Sequence, residues 1–358
     1  MSTSHSSLER PVLPLGVSSA LFAALLFGVS TPLAKLLLGD VSPVLLAALF
    51  YLGSGIGLTL LYIIHRRHST AEAPIARKDI RWLGGALFFG GVLGPVLLMV
   101  GLSTTTASSA SLLLNMESVF TVVLAWFIFR ENFDRRIAFG MVFILAGGII
   151  LSIHGTNGIL LSGGSIAVVA ACLCWGIDNN LTQKVSASDP VQIAAIKGIV
   201  AGSVDLAIAV ILGAKVPPLT AVAASMLAGF FCYGISLVLF VSALRRVGTA
   251  RTSAYFSLAP FIGATLSVFL LHESPRVSLL IAALFMGTGV WLHLTERHSH
   301  EHTHEALKHN HRHVHDEHHQ HEHAADIDAH EPHSHEHTHE PITHAHPHYP
   351  DIHHRHPH

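Results

Sequence analysis

The chain has 358 residues, 50% of them hydrophobic and only 12% charged, with a mean hydropathy of +0.50; a soluble domain carries about 25% charged residues, so a soluble globular protein is excluded. The formal charge of -2 averages two unlike parts: residues 1–297 hold 18 basic and 12 acidic side chains, whereas residues 298–358 hold 3 and 11, together with 24 of the 30 histidines. Nothing strongly basic points to nucleic acid, and the three cysteines, Cys172, Cys174 and Cys232, sit inside apolar stretches, which excludes a disulfide framework.

A polar 14-residue lead opens the chain. The first apolar run is longer than the usual 7–15 residue core of a signal peptide and is expected to be retained. A bilayer core of about 30 Å needs about 20 apolar residues in a helix. Ten such runs follow in order, at 15–38, 43–64, 82–102, 105–129, 137–154, 164–183, 190–213, 220–244, 250–271 and 277–295. Small residues recur at four-residue spacing within them, as at Gly53 and Gly57 or Gly90 and Gly94, which predicts close helix packing. With the N-terminus in the cytoplasm, fourteen Lys and Arg fall inside, including Arg66, Arg67, Arg130, Arg135, Arg136, Arg245 and Arg246. Only Lys35, Lys215 and Arg276 then lie outside, and Lys197 lies within a span. This is the asymmetry of the positive-inside rule, and it returns the C-terminal tail to the cytoplasm.

The halves echo each other. A shift of 142 residues lays Val96–Leu102 on Val238–Leu244 and Phe129-Arg130-Glu131 on Leu271-His272-Glu273, and a shift of 148 lays Phe27-Gly28-Val29 on Trp175-Gly176-Ile177. Five spans per unit is odd, so the second unit enters the membrane upside down. The loops agree: Ser103–Thr106 is uncharged where its counterpart carries Arg245 and Arg246. Inverted repeats of this kind recur in secondary transporters, with the substrate near the midplane between the halves.

The run Leu114-Asn115-Met116-Glu117-Ser118-Val119-Phe120-Thr121 through Phe129-Arg130-Glu131, and its echo Leu258-Ala259-Pro260-Phe261 through Leu271-His272-Glu273, resemble the paired signatures of the EamA-type drug/metabolite transporter superfamily. Ala243-Leu244 followed by the small residues of 248–254 is also similar to that family. The resemblance implies ten helices in two five-helix repeats and export of small solutes. It does not name a solute, because one fold hosts many. Ser118 stands where the family commonly has Pro.

Ionisable groups within spans are costly and usually face a cavity or a partner. Glu117 lies near the middle of the fourth span with Asn115 beside it in sequence, and it is the first candidate for a proton- or cation-coupling carboxylate. Asp178, Asn179 and Asn180 form a polar cluster toward the inner end of the sixth span, where a carboxylate beside two amides suits a cation entrance. Lys197 and Asp205 share the seventh span eight residues apart, about 80° apart around the helix and two turns along it, too far to pair directly. Each is expected to balance a charge on another helix, Lys197 that of Glu117 or Asp178. Pro32 frees a backbone carbonyl in the first span. Cys172 and Cys174, about 200° apart on a helix, cannot clasp one ion. His154 and His293 read as interfacial packing, and Glu131 and Glu273 as caps or loop anchors. No Walker loop, nucleophile elbow or metalloprotease helix is present, so no enzymatic activity is expected.

From His298 the chain reads His-Ser-His-Glu-His-Thr-His-Glu, and from His333 the same octet recurs. Candidate metal ligands are His298, His300, His302, His304, His309, His311, His313, His315, His333, His335, His337 and His339. Imidazole suits zinc, nickel and copper, and alternating His in a flexible chain gives several exchangeable sites rather than one closed cage. A charge switch near the imidazole pKa of about 6.5 competes with this reading.

The sequence is therefore read as an all-α polytopic membrane protein. It has ten transmembrane helices as two inverted five-helix repeats, at 15–154 and 164–295, plus a cytoplasmic lead at 1–14 and a disordered His-rich tail at 298–358. The expected function is export of a divalent transition metal, nickel or cobalt before zinc, across an inner membrane, with both termini cytoplasmic and the tail capturing metal. A metabolite or amino-acid exporter with a metal- or pH-sensing tail is the alternative, and a membrane-anchored metal store a more distant one. Expected partners are the lipid bilayer and a small ion or small molecule, with no required cofactor and room for a homodimer.

Overall fold

The structure is a computed structural model that describes residues 15–65, 75, 77–129, 135–154, 160–185, 188–247, 252 and 255–295, and within the tail 299–303, 307–313, 333–339 and 343–347. Apolar helices account for all of it up to Thr295 except short connections. In α1 (Leu15–Leu37) the buried positions are all small, Gly16, Ala20, Ala23, Ala24, Gly28, Ser30, Thr31, Pro32 and Ala34. Its exposed positions include Leu15, Phe22, Leu25 and Leu36. The same inversion runs through the molecule, with Phe139, Val142, Ile149, Ile211, Phe269 and Leu284 facing outward. Such a surface is a liability in water but the normal exterior in lipid, where helices associate through small residues. Eight stretches among the described residues are long and apolar enough to cross a bilayer, and Ala259–Leu270 and Val277–Leu292 are shorter apolar helices, giving the ten expected.

The remaining helices are α2 (Pro43–His65), α3 (Ile80–Ala86), α4 (Gly94–Thr104), α5 (Ala107–Leu113), α6 (Met116–Phe129), α7 (Arg135–Ser152), α8 (Gly163–Gln183), α9 (Pro190–Ile211), α10 (Leu219–Ala228), α11 (Ser236–Val247), α12 (Ala259–Leu270) and α13 (Val277–Leu294). A π-helical segment, Leu87–Leu93, joins α3 to α4 as one span, and a second, Gly229–Ile235, joins α10 to α11. The two lie 142 residues apart, the spacing of the sequence echo. The fourth span, expected as one helix over 105–129, breaks between α5 and α6: Asn115, Glu117 and Ser118 donate their N–H groups to carbonyls three residues back. The ninth, expected over 250–271, is likewise interrupted, because Pro260 has no N–H to continue a helix from Ser257 and Leu258.

Packing follows a two-fold exchange of the halves. α1 packs on α11 and α12, and α8, its counterpart, packs on α4 and α6. The pairs α2 with α9 and α7 with α13 each map onto themselves under the same exchange. The α2–α9 crossing is close. A side chain at Gly198 would collide with the backbone of Gly55, and one at Gly55 with the backbone of Ile199, so glycine is required on both faces.

In the tail, β3 (Ser299–Thr303) pairs antiparallel with β6 (Thr343–Pro347), and β4 (Leu307–His313) with β5 (His333–His339). The His-X-His alternation has the period of a strand. A short ladder, β1 (Ile153–His154) with β2 (Leu160–Leu161), links the two halves of the bundle.

Candidate functional site

Glu117 is the second residue of α6, immediately after the break in the fourth span. Its position in a first helical turn places the carboxylate at the positive end of the helix dipole. Oε1 accepts a hydrogen bond from Asn179 Nδ2 of α8 at 2.8 Å, and the same amide donates to Thr121 Oγ1 at 3.2 Å. Thr121 in turn donates to the Glu117 carbonyl at 2.8 Å, which fixes the first turn of α6.

One turn along α8 from Trp175, Asp178 is buried against Lys197 of α9. Lys197 Nζ reaches Asp178 Oδ1 at 2.7 Å and Oδ2 at 2.6 Å, and Thr182 Oγ1 donates to Oδ1 at 2.8 Å. Of the two partners expected for Lys197, the structure chooses Asp178. Gly90 makes this possible, since any side chain there would overlap the Asp178 carboxylate.

Gly90 does a second thing. In the π-helical segment its carbonyl would pair with the N–H of residue 95, but Pro95 has none, and the Gly94 N–H goes to Phe89 O. The free Gly90 oxygen accepts from Tyr51 Oη at 2.7 Å and from Trp175 Nε1 at 3.0 Å. Those two rings are thereby fixed beside Phe27, which packs on Trp175 at 6.2 Å, Tyr233 at 5.8 Å and Phe256 at 5.3 Å between ring centres. Phe240 closes on Phe256 at 4.8 Å.

The result is a cavity with about 710 Å³ of empty space, part of it open to solvent. Its polar lining is Glu117, Asp178, Asn179, Lys197, Ser54 and Ser236, and its walls are the rings of Phe27, Tyr51, Trp175, Tyr233, Phe240 and Phe256. Both repeats contribute. The lining runs from the middle of the helices toward the ends that carry the basic loops, and at the opposite ends side chains tie the helices together. There Glu273 accepts from the N–H groups of Ala107 and Ser108 at 2.7 and 3.0 Å, and Lys35 Nζ donates to the carbonyls of Leu102 and Thr105 at 2.6 and 2.8 Å. Glu273 is thus a helix cap, as its loop position suggested, and it follows His272, whose φ of 52° turns the chain back over α5.

Three candidates lie off the cavity. Asn115 donates to Leu112 O at 3.0 Å and stabilises the helix break. Asn180 bonds the carbonyls of Gly176 and Thr121 at 2.8 and 3.1 Å, holding α8 to α6. Asp205 is fully buried, and neither carboxylate oxygen has a hydrogen-bond partner among the described residues, so the expected counter-charge on another helix is not there. The carbonyl that Pro32 frees, that of Gly28, lies against Gly263 of α12 and not in the cavity. Cys172 donates to Leu113 O at 3.5 Å, and all three cysteines are buried thiols. Glu131 lies outside the described residues, as do His298, His304 and His315. For the other tail histidines the backbone gives register alone: His300 faces His346, His302 faces His344, and His309, His311 and His313 face His337, His335 and His333. His339 faces Leu307. His154 and His293 have described backbones but no described side chains.

The aromatic walls and the Gly90 carbonyl were not among the expected site residues. One signal did carry them: the 148-residue shift lays Phe27 on Trp175, and these two rings meet across the cavity. Among the described residues, no three His, Cys, Asp or Glu converge as a metal site. The arrangement can bind an organic molecule on rings and orient it by one carboxylate, one amide and hydroxyls.

Residues 14–153 and 162–295 each match the EamA-like transporter family. An uncharacterized transporter of Methanothermobacter thermautotrophicus is 31% identical over 292 residues, covering 77% of this chain and 85% of its own length. An uncharacterized transporter of Bacillus subtilis, YyaM, is 22% identical over 273 residues, 74% of this chain and 88% of its own. A solved crystal structure superposes with a TM-score of 0.59 at 18% identity, covering 77% of this chain and 95% of that one, and shares the fold.

Proposed function

The chain belongs to the EamA-like transporter family, a multi-pass membrane protein that moves a small molecule across a bilayer, and from that premise we propose that it exports a small organic solute through the cavity between its repeats. The observation that carries this is the composition of the cavity. Its walls are six aromatic rings, and its one cationic side chain, Lys197, is already held by Asp178 at 2.6 Å. A divalent transition metal prefers several oxygen, nitrogen or sulfur donors around it. Here one carboxylate is occupied by an ammonium, and Glu117 offers the other. We place the chain in an inner membrane with both termini in the cytoplasm; the orientation is supported by fourteen basic residues collecting on one side and three on the other. The cavity then faces the cytoplasm, where an exporter loads. Glu117 takes the solute or the counter-moving proton.

The test is sided access. In a background lacking the three cysteines, Leu237→Cys, on the cavity wall, should react with a membrane-impermeant maleimide from the cytoplasmic face and be protected by transported solute. Labelling only from the opposite face overturns the orientation, and no protection by any solute overturns the cavity.

A second reading, export of nickel, cobalt or zinc captured by the tail, is favoured by the cross-strand histidine register. Its test is truncation after Arg297. If cells making the truncated chain keep full tolerance and unchanged nickel, cobalt and zinc contents, the metal is not the cargo.

A further inference from the structure

We propose that the solute is an organic monocation whose ammonium group sits against Glu117 within the aromatic walls; this rests on the cavity being the transport site. The charge count is simple. The cavity has three ionisable side chains of formal charge, Glu117, Asp178 and Lys197. Asp178 and Lys197 neutralise each other in a buried contact at 2.6 Å with side chains 10% and 5% exposed. Among the described residues the Glu117 carboxylate has a single neutral side-chain donor, the Asn179 amide at 2.8 Å. A carboxylate removed from water with one amide partner is poorly compensated, and a cation that enters beside it supplies what is missing. A phosphate or carboxylate solute would meet the reverse balance.

The walls select among cations. Aromatic faces attract a soft, weakly hydrated ammonium, and they also take up the hydrocarbon attached to it. They offer nothing to a bare divalent ion that must replace about six water oxygens. Tyr233 adds an independent pointer toward a ligand. Its side chain lines the cavity, the residue is 8% exposed, and its Oη has no hydrogen-bond partner among the described residues. An N–H or hydroxyl of the solute completes it.

The experiment uses the purified full-length chain in nanodiscs and three probes with the same ring and different charge: phenethylammonium, 2-phenylethanol and phenylacetate, titrated by calorimetry. Phenethylammonium should bind about tenfold or more tightly than the alcohol, the equivalent of about 1.4 kcal/mol, and phenylacetate more weakly than either. Glu117→Gln, an isosteric change, should abolish the preference for the ammonium while keeping the affinity for the alcohol. Phe240→Leu should weaken the ammonium more than the alcohol with Glu117 still in place. Equal affinities in the parent chain, or a preference that survives Glu117→Gln, overturn the cation class and leave the cavity reading standing. No binding of any probe overturns both.

Discussion

Removing the ammonium of Lys197 should be one of the most costly single changes in the bundle, and the cost should nearly vanish when its partner goes too. The Lys197–Asp178 contact is 2.6 Å long and almost out of solvent. At an effective dielectric of about 20 the attraction is about 6 kcal/mol, most of it offset by the desolvation of both ions. Lys197→Met keeps the length of the side chain but strands Asp178 with one neutral donor, Thr182 Oγ1. Asp178→Asn leaves Lys197 at most an amide oxygen and a hydroxyl at 3.5 Å, with no counter-charge. Each single change should cost about 3–5 kcal/mol, and the double change within about 1 kcal/mol of neutral. A double-mutant cycle by equilibrium unfolding in mixed micelles reads the coupling directly. The same pair should separate on binding of phenethylammonium. Lys197→Met adds a negative charge to the cavity and should not weaken binding, whereas Asp178→Asn adds a positive one beside Glu117 and should. Additive single costs, or two variants that shift binding in the same direction, would refute both the burial argument and the charge count.

Glu273→Gln should raise amide exchange at Ala107 and Ser108 and cost about 1–2 kcal/mol, because the carboxylate caps both N–H groups of a short helix. Gly198→Leu should abolish recovery of monodisperse protein by gel filtration, since the α2–α9 crossing has no room, while Gly84→Ala, with nothing within 4 Å, should be recovered as the parent is. Tyr51→Phe should cost only about 0.5–1.5 kcal/mol of unfolding free energy, because Trp175 still satisfies the Gly90 carbonyl. Losing both donors, with Trp175→Phe added, should cost more than the two single changes together, since a buried carbonyl is then left unpaired.

The spans were legible because a bilayer imposes a length and a polarity that few other environments require, and the inverted repeat because loop charges change sides between matching positions. Glu117 and the Asp178–Lys197 pair were legible for the same reason: ionised groups are rare in such a background. The breaks at Leu114 and at Ser257 were not, since hydropathy registers composition and is blind to hydrogen-bond direction. Gly90 looked like packing alone, because its role depends on Pro95 five residues on and on the π-helical register that makes residue 95 its missing donor. Asn115 and Asn180 were grouped with Glu117 and Asp178 by adjacency in sequence, yet neighbours on a helix point in different directions, and both amides serve the backbone.

The repeat gives the latch at Glu273 a wider meaning. Glu273 belongs to the second half and caps the entry of the fourth span, in the first half. Its sequence counterpart is Glu131, and the counterparts of Ala107 and Ser108 under the same shift are Thr249 and Ala250, on the side of the basic loops. The sequence supplies both parts: a glutamate at the end of each echoed motif and a run of small residues at the start of each matching span. The described cap of Glu273 on Ala107 and Ser108 therefore has a sequence counterpart at the same spacing in the other half.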